Sequence, residues 1–346
     1  MAVREIVYAG VPYPDRVGAL MDGTVQLRRR VLRVLPFPAV GDLFRRVAQD
    51  AEFDVAEMSL STYLILRGRG DDRLVGIPVF PSRAFRHGQV YVHADAGIER
   101  PADLAGCAIG VPEYQMTAAL WVRAFLQHDF GLRAADCVWW TGGLVTPRYR
   151  ERLAHDPPPG VVIRRIPRDR SLEEMLEAGD LDALVTVRPP GCFDEDGRGR
   201  VRRLFPDYRD VEQDYHERTR IFPIMHTVVL REELYRRDPS LALDLLDAFH
   251  RSKEEGRRRA RDTTCLALMH PWLADELLRM DERFDGDPFP YGFPSNRRVL
   301  EAAARHSYEQ GLSARPLEAD SLFAQETLAW RPGKRTLSSG GAGSGH

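Results

Sequence analysis

Residues 94–102 read ADAGIERPA, and residues 189–200 read PPGCFDEDGRGR. Both stretches are polar and rich in turn formers, and each interrupts an otherwise regular alternation of strand-like and helix-like segments. Between them, over roughly 97–205, the chain carries strand–helix–strand repeats of its own. That is the pattern of one domain inserted into another, with two chain crossings that would act as a hinge. The expected division is a discontinuous first lobe of 1–96 and 206–330, an inserted second lobe of 97–205, and a disordered tail of 331–346. Clefts between such lobes are where small ligands bind.

Outward from these two stretches, strand candidates fall at 6–9, 31–34, 75–80, 90–92, 108–111, 138–140, 161–166, 183–187 and 224–230. Helical patterns cover 42–49, 59–66, 117–129, 172–178, 239–260, 273–280 and 297–310. Ser171 and Glu174 have capping-box spacing, and Asp238-Pro239 reads as a cap followed by a first-turn proline. The alternation predicts a two-lobed α/β fold with largely parallel strands.

The 346 residues are enough for two cores. A formal net charge of −2 leaves no basic excess to hold a phosphate backbone, so no nucleic acid partner is expected. Nearly all the positive charge is arginine. The two lysines are Lys253, in the charged stretch RSKEEGRRR read as a solvated helix, and Lys334 in the tail. That argues against a Schiff-base lysine and pyridoxal phosphate. Cys107, Cys137, Cys192 and Cys265 form no CxxC pair and read as buried free thiols in a reducing compartment. No stretch approaches the ~18 apolar residues of a membrane span. The opening MAVREIVYAG has neither an apolar h-region nor a small-residue cleavage site. The expectation is a cytoplasmic protein with no membrane partner. The helices over 239–310 are the surface a homodimer would use, although amphipathic helices more often pack on their own core.

No GxxxxGK[ST], HExxH or GxSxG is present, and neither Gly68-Arg69-Gly70 nor Gly197-Arg198-Gly199 completes a GxGxxG. His93 and Asp95 have metal-ligand spacing but sit at a strand end, where a hinge residue fits better. No metal and no cofactor are expected.

Five constellations carry chemistry. In FDVAEMSLSTY (53–63) a strand meets a helix, and Glu57, Ser59 and Ser61 crowd the helix N-terminus. The reading is divided between an anion site and plain capping by Ser59. In IPVFPSRAFRH (77–87) an apolar run ends in Ser82, Arg83, Arg86 and His87, a grouping able to clamp a carboxylate. In IGVPEYQMT (109–117) a strand runs through a proline turn into a helix starting at Thr117, a second anion site. Glu113 is costly beside an anion unless protonated or paired, so it is a cap or a proton donor. Arg188 stands at the expected second crossing. His226 enters an apolar strand in FPIMHTVVL (222–230), where a histidine is more often a satisfied core residue than a functional one.

These motifs, with PADLAGCAIGVPEYQMTAALWVRAFL (101–126), FPIMHTVVLREEL (222–234) and DPFPYGFPSNRRVLEAAARHSYEQGL (287–312), resemble the 4,5-dihydroxyphthalate decarboxylase family from about residue 5 to 327. The resemblance implies a type 2 periplasmic-binding-protein-like fold with the ligand cleft between its lobes. It also implies cofactor-independent, redox-neutral decarboxylation of a small hydroxylated aromatic carboxylate by ring-carbon protonation followed by CO2 loss. Such chemistry needs a general acid at the ring carbon, a partner for the phenolic oxygen and a clamp for the retained carboxylate. The expected assignment gives Arg83 and Arg86 the carboxylate, assisted by Ser59 and Ser82, and His87 the ring carbon. His226 or Glu57 takes the phenol, Thr117 closes from the second lobe, and Arg188 adds charge at the hinge. The same scaffold also serves a small-anion binding protein without catalysis, or a dehydratase acting on a chorismate-like acid.

Overall fold

The computed structural model describes residues 5–147, 152–153, 156–196 and 198–333. The expected tail from 334 onward, with Lys334, lies outside the described residues.

Short β-branched runs alternate with amphipathic segments, and each run that can bury both faces becomes a sheet strand. Along the chain come β1 (Glu5–Gly10), α1 (Gly18–Met21), β2 (Val31–Pro36), α2 (Val40–Asp50), β3 (Val55–Ser59), α3 (Leu60–Gly68) and β4 (Leu74–Arg83). Then follow β5 (Val90–His93), β6 (Ala108–Val111), α4 (Thr117–Phe130), β7 (Val138–Thr141), β8 (Val162–Arg165), α5 (Leu172–Glu177), β9 (Ala183–Val185) and β10 (Val201–Arg203). The chain returns through α6 (Tyr208–Thr219), β11 (Ile224–Arg231), α7 (Glu232–Arg237), α8 (Ser240–Ala260), α9 (Leu273–Arg283) and α10 (Phe293–Glu309).

Two sheets result, with strand orders β2-β1-β3-β11-β4 and β10-β5-β9-β6-β7-β8. Each is parallel except for one strand. β11 runs antiparallel to both β3 and β4, and β5 antiparallel to β9 and β10. These two are the first strands laid down after a crossing, so they enter their sheets from the opposite end. The two-lobed α/β expectation holds. Because β5 pairs in the second sheet, however, the first crossing falls at 84–89 rather than at 96, and the second spans 204–223.

One element belongs to both halves. Every residue of α4 from Thr117 to Leu126 is buried, and one core cluster joins it to α3, α10 and both sheets. Trp121 Nε1 donates to the Ile224 carbonyl at 3.0 Å, and Arg123 Nε donates to Gln310 Oε1 at 2.8 Å. A helix apolar all round must be covered all round, so TAALWVRAFL becomes the shared wall between the lobes.

Several local expectations change. The capping box of Ser171 and Glu174 forms in both directions, at 3.3 and 2.7 Å. Asp238 does not cap α8. Its carboxylate accepts from Ser240 Oγ at 2.6 Å and pairs with Arg30. Lys253 is not solvated. It is 2% exposed, paired with Asp287, and donates to the Phe289 carbonyl at 2.8 Å. Its position turns inward on α8, and the 287–291 segment supplies its partners, with the Tyr291 ring 4.5 Å from Nζ. Of the cysteines, which are all free, only Cys137 is buried and Cys265 is exposed. The polar helix α6, with Tyr215 alone buried, has no apolar periodicity from which it could be read. No helix among the described residues is long and apolar enough to cross a membrane.

Candidate active site

Strand parity builds the site. Glu57 and Ser59 are two apart on β3 and share a face. Across the sheet His226 lies opposite Ser59 on one side and Ser82 on the other. The β11–β4 ladder shifts register on both sides of His226, and such irregularities re-aim a side chain. The imidazole therefore reaches diagonally to Glu57, with Nδ1 2.6 Å from Oε1.

Glu57 is fully buried and has three donors. The Val11 N–H reaches Oε2 at 2.9 Å, the Tyr13 hydroxyl reaches Oε1 at 3.0 Å, and His226 Nδ1 completes the set. A carboxylate fixed in this way selects the tautomer with the proton on Nδ1 and leaves Nε2 for a substrate. Burial and the Glu57 carboxylate push the Tyr13 phenol well above its ordinary range, so it stays a neutral donor. The Arg16 guanidinium covers the Tyr13 ring at 4.2 Å. Phe44 packs edge-on to His226 at 4.8 Å, and the Arg152 guanidinium lies over the Phe44 ring at 5.4 Å. Arg152 pairs with Glu113, and its Nε meets no partner among the described residues.

The opposite lobe closes on this face. Thr117 Oγ1 lies 2.8 Å from Ser59 Oγ and accepts the Ser61 N–H at 3.1 Å. Ser59 is also the N-cap of α3, accepting the Thr62 N–H at 3.5 Å. Capping and a place in the cleft thus coincide in one residue. Ser61 Oγ is buried without a partner among the described residues.

The fold brings together Glu57, Ser59, Ser82, Thr117 and His226 of the expected residues, with Glu113 adjoining through Arg152. It does not bring the SRAFRH cations to them. Arg83 donates to the carbonyls of Phe222 (3.0 Å) and Pro290 (3.3 Å) and to Asn296, and burial pulls its guanidinium down to about 9. Arg86 is held by Met225 Sδ at 3.2 Å and by Gln89. His87 is 2% exposed and stacks on Phe125 at 4.0 Å, with Phe205 and Tyr215 around it. Desolvation lowers its pKa to about 4, so the ring is neutral at neutral pH. It lines a separate surface groove of about 680 Å³ with His128, Asp129 and Asp214. Arg188 is exposed just beyond β9.

Tyr13, Phe44 and Arg152 escaped the sequence reading. The Val11-Pro12-Tyr13-Pro14 turn directly after β1 is the one signal that could have found Tyr13, because loops at strand ends carry function in α/β sheets. Arg152 stands in the arginine-rich run PRYRERL, where nothing separates it from its neighbours.

No family model matches the chain. It is 38% identical over 314 residues to a 4,5-dihydroxyphthalate decarboxylase of Comamonas testosteroni, covering 91% of this chain and 94% of that protein. It is 39% identical over 201 residues to a 4,5-dihydroxyphthalate decarboxylase of Pseudomonas putida, covering 58% and 77%. Among solved structures, the periplasmic aliphatic sulphonate binding protein SsuA of Escherichia coli superposes with a TM-score of 0.51 at 12% identity, over 94% of this chain and 99% of that one. The alkanesulfonate-binding protein SsuA of Xanthomonas axonopodis pv. citri gives 0.51 at 13% identity, over 96% and 100%. At that identity these two speak for the fold alone.

Proposed function

The chain belongs to the 4,5-dihydroxyphthalate decarboxylase family, and on that premise we propose that its interlobe site decarboxylates 4,5-dihydroxyphthalate or a closely similar hydroxylated aromatic acid, with His226 as the proton-transfer residue. The observation that carries this reading is the 2.6 Å contact between His226 Nδ1 and the buried Glu57 carboxylate at the lobe boundary. Glu57 stabilises the imidazolium, and Nε2 delivers the proton to the ring carbon that bears the leaving carboxylate. The hydroxyl para to it passes its proton to water as the ring becomes a dienone. The C–C bond then breaks, its electron pair restores aromaticity, the oxygen takes a proton back from water, and CO2 departs, leaving 3,4-dihydroxybenzoate, while His226 is reprotonated from solvent.

The hydroxyls of Ser59, Ser82 and Thr117 surround the place where the ring oxygens would lie. The retained carboxylate goes to Arg152, whose guanidinium exchanges Glu113 for the substrate and keeps Phe44 as its aromatic platform. The role first given to Arg83, Arg86 and His87 passes to Arg152 and His226, because the former three are already engaged elsewhere. The four free thiols suit a reducing compartment, and we place the activity in the cytoplasm. Leu266, Leu268, Trp272 and Leu278, all exposed around α9, are the face through which we expect a homodimer.

Incubating the purified protein with 4,5-dihydroxyphthalate and following CO2 and the product spectrum tests the proposal. In D2O the product should carry deuterium at the carbon that lost CO2. Binding without CO2 release would sink the catalytic reading in favour of a small-anion binding protein.

A further inference from the structure

The last turn of α4 and the last turn of α10 meet at three side chains that the proposed reaction does not use. His306 and Glu309 are three apart on α10 and face the same way, and His128 reaches them from α4. His128 Nε2 lies 2.9 Å from Glu309 Oε2, and His306 Nδ1 lies 3.2 Å from the same oxygen. One ligand atom from each of the three falls within 4.8 Å of the others. In a tetrahedral site with bonds of about 2.0–2.1 Å, ligand atoms stand roughly 3.3 Å apart. Two of the three edges are thus already near that length, and the third closes by a small movement of His128, which is partly exposed at a helix end.

We propose that His128, His306 and Glu309 form a site for a borderline divalent cation of the Zn²⁺ class, which pins α4 to α10. Two imidazoles and one carboxylate suit Zn²⁺, Co²⁺ or Ni²⁺ and not Mg²⁺ or Ca²⁺, which want oxygen ligands. His306 is preorganised, being 4% exposed and held edge-on to Trp121 at 5.7 Å. An entry path exists as well. His128 lines the surface groove of about 680 Å³, whose wall also carries Asp210 and the Arg218 guanidinium paired with Asp129 and Asp214. The groove opens to solvent, and its water supplies the fourth ligand. The site is remote in kind from Glu57 and His226. Its effect is mechanical, because α4 is the wall shared by the lobes and carries Thr117 at its other end. No sequence spacing announces it, since His306 lies 178 positions beyond His128.

The full chain, stripped with chelator, is titrated with Zn²⁺ and separately with Co²⁺, alongside His128→Ala and Glu309→Gln. One equivalent of Zn²⁺ should bind saturably and raise the thermal midpoint, and Co²⁺ should give visible ligand-field bands that Zn²⁺ displaces. Each variant, checked for native circular dichroism, should bind at least tenfold more weakly and lose the thermal shift. Absence of one-equivalent binding in the parent protein, or affinity equal to the parent's in both variants, overturns the site. Decarboxylation does not enter either readout, so the proposal stands or falls apart from the one above.

Discussion

His226 and His87 both lie where a strand meets a crossing, and the two have opposite surroundings. His226 faces a buried carboxylate that accepts from three donors, and it keeps some exposure toward the lobe boundary. His87 lies among Phe125, Phe205 and Tyr215, and the nearest carboxylate oxygen, on Glu212, is 3.9 Å away. In sequence the His87 segment looks the richer in chemistry, with two arginines and a serine beside the histidine. In space its cations are engaged by backbone carbonyls, a thioether and two side-chain amides. The difference shows that density of polar residues along a chain is a weaker sign of a site than polar partners sharing one face of a sheet.

The sharpest way to break this contrast is exchange of the two histidines. His226→Gln should lower kcat by 10²–10⁴-fold, the usual contribution of a positioned acid or base, while His87→Gln should stay within a few-fold. Steady-state kinetics on both variants checks this, and a reversal of the pattern would return the proton-transfer role to His87. Arg83 comes next. Arg83→Met strands the Phe222 carbonyl and the Asn296 amide oxygen, while the Pro290 carbonyl keeps the Asn296 Nδ2 donor, and should cost about 2–4 kcal/mol of stability in denaturant titration. The folded fraction should keep its turnover. A large rise in KM with unchanged stability would instead restore Arg83 to the substrate.

Acid stability probes the apolar surroundings of His87. The folded pKa of His87 lies near 4, against 6.5 for a free imidazole. The unfolded chain therefore binds the extra proton as pH falls below about 6.5, the native state does not, and stability declines with acidification down to about 4. The loss attributable to His87 should be on the order of 3 kcal/mol, and His87→Gln should flatten that part of the pH–stability curve. The smallest expected effect is at Arg152. Arg152→Met should raise KM about tenfold, roughly 1.4 kcal/mol, with a modest change in kcat. An unmoved KM would mean that the retained carboxylate is held elsewhere.

Much of the molecule is legible in the chain. The strand at 108–111 and the helix from Thr117 fall where their patterns place them, because a run of β-branched and apolar residues ended by Pro112 has few alternatives. The two turn-rich stretches do not mark the crossings, because both lie between strands of the second sheet, one between β5 and β6 and the other between β9 and β10. A second exception is β5, whose four residues say that a strand forms but not which sheet receives it. Glu57 and Ser59 are legible as a pair through period-2 alternation. Lys253 was not, since a charged helix shows its solvent face and its buried face in the same residue types, and only Asp287 and Phe289 decide that this lysine turns inward.

By itself the sequence determined most of the secondary structure, though not α6 or β10, together with the two-lobed α/β class and the family, since these follow from short-range patterning and from motifs that are contiguous in the chain. The tertiary structure decided which polar groups meet. His226 finds Glu57 across 169 positions, and Thr117 finds Ser59 across 58. Those meetings depend on sheet register, on a bulge, and on how α4 lies between the lobes. The physical reason is that a shift of one residue in any of the pairings turns a side chain to the opposite face, and no local pattern in the chain specifies that register.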